Sequence, residues 1–74
     1  LGGCMSKNRF AEQLIKLRKE AGMTQVELAN RLSVSKGTVA MWETGKRETS
    51  YSMLFLIADF FDVTIHYLLT GREF

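Results

Sequence analysis

Apolar residues recur along this chain at helical intervals, and polar caps punctuate them. Phe10, Leu14, Leu17 and Ala21 stand at i, i+4, i+7 and i+11, one face of a first helix that Ser6 or Asn8 caps and Gly22 ends. Thr24-Gln25-Val26-Glu27 matches a capping box, in which the Thr hydroxyl accepts an N–H and the Glu reaches back to the cap's own N–H. The second helix then runs through Leu28, Ala29 and Leu32, and Ser33-Val34-Ser35 interrupts it. Ser35 caps a third helix over about residues 36–44, with Val39 and Trp42 inward and Thr44-Gly45 as its stop.

After a polar, charged loop at residues 45–49, Ser50 opens a fourth helix carrying Tyr51, Leu54, Ile57, Ala58 and Phe61 at helical spacing. Asp62 tolerates the left-handed conformation a helix end needs. Thr64 caps a short fifth helix with Ile65, Leu68 and Leu69, closed by Gly71. Val63-Thr64-Ile65 has strand propensity but sits between two caps and reads as a turn. The pattern predicts an all-α domain of five short helices.

At 74 residues this is one small domain, near the lower limit of what folds without a staple. Cys4 has no second Cys to pair with, and a lone Cys builds no Cys-based zinc site, so neither a disulfide nor a structural metal is expected, and no cofactor. His66 has no companion at metal spacing and reads as a surface or interface His. Leu1-Gly2-Gly3-Cys4 ahead of Met5 reads as a cloning remnant followed by the native start, which leaves a domain over residues 6–71 and a tail at 72–74. No apolar run reaches membrane-spanning length and no signal core is present, so a soluble, cytoplasmic protein without membrane association is expected.

The formal net charge of +2 conceals an asymmetry. Residues 1–47 hold nine basic against four acidic side chains, and residues 48–74 hold one against four. A basic part joined to an acidic, apolar part points to a polyanion partner for the first and another role for the second.

The second and third helices are joined by only three residues, too few for a flat antiparallel hairpin, so they must cross steeply. That geometry lets one helix enter a DNA major groove while the other crosses the backbone. Ala29 suits the close approach of the pair, Val34 and Val39 wedge the turn onto the core, and Leu28, Leu32 and Trp42 complete the buried side. Left outside on the third helix are Ser35, Lys36, Gly37, Thr38, Ala40, Met41 and Thr44.

Thr24-Gln25-Val26-Glu27-Leu28-Ala29 and the run from Val34 through Trp42-Glu43-Thr44-Gly45-Lys46-Arg47 together resemble the helix-turn-helix of the phage repressor and Cro family, the XRE-type regulators. Ile57-Ala58 and Val63-Thr64-Ile65-His66-Tyr67-Leu68-Leu69-Thr70-Gly71 continue the likeness, which spans roughly residues 8–71. The resemblance implies a lambda-repressor-like five-helix DNA-binding domain. It also implies a sequence-specific transcriptional repressor acting as a homodimer on a pseudo-palindromic operator in double-stranded DNA, its two third helices about 34 Å apart. Carried over position by position, Gln25, Lys46 and Arg47 match phosphate contacts. Ser35, Lys36, Gly37, Thr38 and Met41 match base-reading positions, and Arg18 and Glu43 match a structural pair. Ser33 stands where most members carry Gly, which implies a strained left-handed turn residue. Ser50 replaces a common Pro. Gly37 and Met41 replace long polar side chains, which points to sparse hydrogen-bonded readout, with Met41 or Ala40 on a thymine methyl and Lys36 on a guanine.

The fourth helix is richer in apolar residues than that pattern needs. Homodimerisation is expected through the fifth helix, with His66 and Tyr67, and the C-terminal end; Leu56 and Phe60, an i, i+4 pair on an outward face flanked by Phe55 and Tyr67, make a second candidate dimer or partner surface. An alternative function follows, a protein-interaction module of the same fold, such as an antitoxin or docking domain, that works through its fourth and fifth helices. Close carboxylate pairs, a nucleophile with its base and a glycine-rich phosphate loop are all missing from the sequence, so an enzyme is not expected.

Overall fold

The computed structural model describes residues 9–72. Over that range the chain forms α1 (Phe10–Glu20), α2 (Gln25–Leu32), α3 (Lys36–Glu43), α4 (Tyr51–Phe61) and α5 (Ile65–Thr70), with no strand among the described residues. The all-α reading and all five helices are thus observed. The presumed remnant at residues 1–5, with Cys4, and the Ser6 and Asn8 cap candidates lie outside the described residues.

Each later helix is entered through a hydroxyl cap. Thr24 Oγ1 accepts from the Glu27 N–H at 3.1 Å while the Thr24 N–H donates to Glu27 Oε1 at 2.8 Å, completing the capping box. Ser35, Ser50 and Thr64 likewise accept from the N–H groups of Thr38, Met53 and Tyr67. At the start of α1 the cap position is Arg9, which makes no side-chain cap bond and instead pairs with Glu12 at 2.9 Å.

Helix ends are set by left-handed residues. Gly22, Gly45 and Gly71 supply them without steric cost, and Ser33 (φ 60°) and Asp62 (φ 58°) supply them with a side chain present. After Ser33 the Val34 N–H bonds the Ala29 carbonyl at 3.0 Å, and after Asp62 the Val63 N–H bonds that of Ala58 at 2.9 Å, so both turns close on the preceding helix.

Phe10, Leu14 and Leu17 of α1, Leu28, Ala29 and Leu32 of α2, Val39 and Trp42 of α3, Leu54, Ile57 and Ala58 of α4 and Leu68 of α5 form one buried core. The Phe10 and Trp42 rings meet edge to face at 6.2 Å. Helix α3 packs on both α2 and α1, while α5 bridges α1 and α4.

Two expected inward residues are not inward. Ala21 is exposed because α1 ends at Glu20 and Ala21 is already its C-cap. Tyr51 is 80% exposed: as the first residue of α4 its side chain leans back past the end of the core. Phe61, expected in the core, packs half-buried at its edge.

Candidate nucleic-acid interface

The turn at Ser33–Val34 redirects the chain so that α3 presents one face to the core and the other to solvent. Val39, Trp42 and Glu43 are buried; Ser35, Lys36, Gly37, Met41 and Thr44 are exposed; Thr38 and Ala40 are half-buried between them. An eight-residue helix is about 12 Å long, close to the width of the B-DNA major groove.

Cations stand at both ends of this helix. Lys36 is its first residue and Lys46 and Arg47 follow its end; all three are exposed and make no ion pair among the described residues. Lys46 is anchored through its backbone, the N–H donating to the Met41 carbonyl at 3.0 Å, so the basic loop leaves α3 in a defined direction.

Arg18 behaves differently. Its Nε and Nη2 donate to the two Glu43 carboxylate oxygens at 2.7 and 3.0 Å, and its Nη1 donates to the Met23 carbonyl at 2.8 Å. The hydrogen bond to Glu43 holds the guanidinium pKa above its ordinary value; desolvation opposes this and the Coulomb attraction of Glu43 adds to it. Only 12% of the Arg18 side chain and 4% of that of Glu43 is exposed, so this pair is an internal tie between α1 and α3, as the sequence implied.

Sequence reasoning missed the third member of that tie. Gln25, expected to face phosphate, donates from Nε2 to Glu43 Oε1 at 3.0 Å. One amide N–H is therefore spent internally, while its other N–H and its Oε1 remain for an outside partner. A buried carboxylate with four acceptor sites needs donors beyond one arginine, and Gln25 supplies one from the start of the adjacent helix.

The hydroxyls on α3 are also partly committed. Ser35 Oγ caps the Thr38 N–H at 3.1 Å and lies 3.0 Å from Thr38 Oγ1, so one of the two hydroxyl protons is shared within the pair and one is left over. Thr44 Oγ1 donates to the Met41 carbonyl. Direct side-chain donors on this face thus reduce to Lys36 and one Ser35–Thr38 proton.

Helix α4 exposes Tyr51 (80%), Phe55 (64%), Leu56 (52%) and Phe60 (37%). Phe55 flanks Leu56 and Phe60 as expected, whereas Tyr51, at the start of the helix, lines a cleft with Phe10, Trp42 and Arg47. Tyr67, placed on that surface by its sequence position, is half-buried against the core and its hydroxyl accepts from Lys16 at 3.4 Å, so most of it is withdrawn. His66 is exposed on α5. Among the described residues no cluster of His, Cys, Asp or Glu is arranged to hold a metal, and no helix is long and apolar enough to cross a membrane.

Residues 14–68 match the family model described as helix-turn-helix. The chain is 42% identical over 64 residues to the HTH-type transcriptional activator BcrR of Enterococcus faecalis, covering 86% of this chain and 31% of that protein. It is 37% identical over 64 residues to the uncharacterised HTH-type transcriptional regulator YqaE of Bacillus subtilis strain 168, covering 86% and 55%. With the HTH-type transcriptional regulator AnsR of the same strain it shares 39% over 62 residues, covering 84% and 53%. The chain therefore spans between 31% and 55% of the length of these curated relatives.

Proposed function

Because the chain belongs to the helix-turn-helix family, we propose that it binds double-stranded DNA to regulate transcription, with α3 in the major groove and α2 crossing the sugar–phosphate backbone. The observation that carries this reading is the contrast between cations. Arg18 is neutralised internally, whereas Lys36, Lys46 and Arg47 bracket the exposed helix unpaired. In this reading Lys46, Arg47 and the free half of the Gln25 amide hold phosphates, and Lys36, the Ser35–Thr38 pair, Gly37 and Met41 face base edges.

Two copies, joined through the exposed apolar face of α4 and the neighbouring His66 side of α5, bind a pseudo-palindromic operator with half-sites one helical turn apart. Repression by occupying a promoter in the cytoplasm requires no contact beyond this docking. The test is selection of bound sequences from a randomised duplex pool, followed by affinity measurements with Lys36→Ala and Lys46→Ala. Selection of a two-fold symmetric site, weakened by both substitutions, supports the assignment; a site bound equally well by both variants contradicts it.

A second reading rests on α4 alone: four large apolar side chains on one helix suit a different protein partner, and activation needs such a surface. If the purified protein is monomeric, and DNA binding survives Leu56→Glu and Phe60→Glu while promoter activation in cells is lost, this second reading replaces the homodimer.

A further inference from the structure

Gly37 is a glycine that the fold does not need. It lies inside α3 and is absent from the glycines of positive φ, which are Gly22, Gly45 and Gly71. A Cβ built at Gly37 would meet only Ser35 Oγ, at 3.8 Å, an ordinary van der Waals contact; at Gly71 the same atom would collide with Gln13 Nε2 at 2.9 Å. Glycine within a helix is less favourable than alanine, and here neither a turn nor close internal packing offsets that. What Gly37 leaves open is space on the outer face.

That space has a defined chemistry. Gly37, Ala40 and Met41 stand at i, i+3 and i+4, so they share one strip of the helix surface. Gly37 is exposed, Ala40 half-buried and Met41 43% exposed, and none of the three side chains carries a hydrogen-bond donor. The N7 and O6 acceptors of the purines meet no donor on such a strip, and the amino groups of adenine and cytosine meet no acceptor there but the weak Met41 thioether, so these groups would lose water without gaining a matching partner. The thymine 5-methyl is the apolar group that the major groove displays.

Building on the DNA-binding reading above, we propose that Gly37 is a specificity-determining residue whose missing side chain admits a thymine 5-methyl group, packed between the Gly37 Cα and the Met41 thioether. Removing that methyl forfeits the burial of one carbon, worth about fourfold in affinity. An alanine at position 37 supplies the carbon from the protein side instead, and so competes with the methyl for one space.

The experiment uses a duplex selected by the wild-type protein, with each thymine replaced singly by uracil, and measures affinity for wild type, Gly37→Ala and Gly37→Leu. Wild type should lose about fourfold at one thymine per half-site. Gly37→Ala should bind the uracil duplex at least as well as the thymine duplex, and should melt no lower than wild type, which separates the effect from misfolding. Gly37→Leu should lose tenfold or more on the thymine duplex. Equal losses for wild type and Gly37→Ala on uracil replacement, or no methyl-sensitive thymine at all, overturn the proposal while leaving DNA binding standing. Failure of the wild type to select any sequence overturns both.

Discussion

Glu43 accepts hydrogen bonds from Arg18 and Gln25 and so draws three segments of the chain onto one nearly buried carboxylate. Removing its cation leaves a buried charge uncompensated. Arg18→Met is therefore expected to cost about 3 kcal/mol, read as a lowered midpoint in thermal or urea denaturation, and Arg18→Met with Glu43→Leu should recover part of it. Because the folded-state pKa of Arg18 is raised, its contribution is complete below the unfolded value and is lost only as pH rises through the folded value. Stability from this pair should consequently be flat across neutral pH. Ser33 is held at φ 60°, where glycine is free of strain, so Ser33→Gly should raise stability by about 0.5–1 kcal/mol with no change in DNA affinity. Both features were legible in the sequence, the pair and the strained turn through family resemblance. The Gln25 bond was not, because a carboxylate's unmet acceptors become visible only when its neighbours are placed.

At the scale of the element, the caps were the most legible feature, since a hydroxyl and the N–H three residues ahead of it need no tertiary information. Thr24, Ser35, Ser50 and Thr64 all cap where the chain pattern put them. Thr24→Ala should cost about 1 kcal/mol in thermal denaturation, because it removes the N-cap acceptor of α2 and half of the capping box. Periodicity was less informative at helix ends: it named a face for Ala21 and Tyr51 but not where the neighbouring helices stop covering it. The outer face of α4 is the product of that uncertainty. If it joins two copies, Leu56→Glu with Phe60→Glu should convert dimer to folded monomer in analytical ultracentrifugation, with helical circular dichroism retained, since both positions are exposed.

Across the whole molecule, net positive charge gathers in residues 1–47 and net negative charge in residues 48–74, and on the DNA-binding reading proposed above the first part meets the polyanion. The consequence is a steep salt dependence of DNA affinity. Each of Lys46→Ala and Arg47→Ala should lower the slope of log affinity against log salt by about 0.9 per protomer, checked by fluorescence anisotropy over a salt series. Arg18, although basic, should change that slope little beyond its effect on folding. The two ends of the described body also meet: the Arg9 N–H donates to the Leu69 carbonyl at 2.8 Å, tying the approach to α1 to the end of α5. Such a body is a cassette. Spliced into a surface loop of an unrelated host through residues 9 and 72, it would ask the host for a narrow gap, since Arg9 and Leu69 meet through one hydrogen bond, and it would bring α3 along intact.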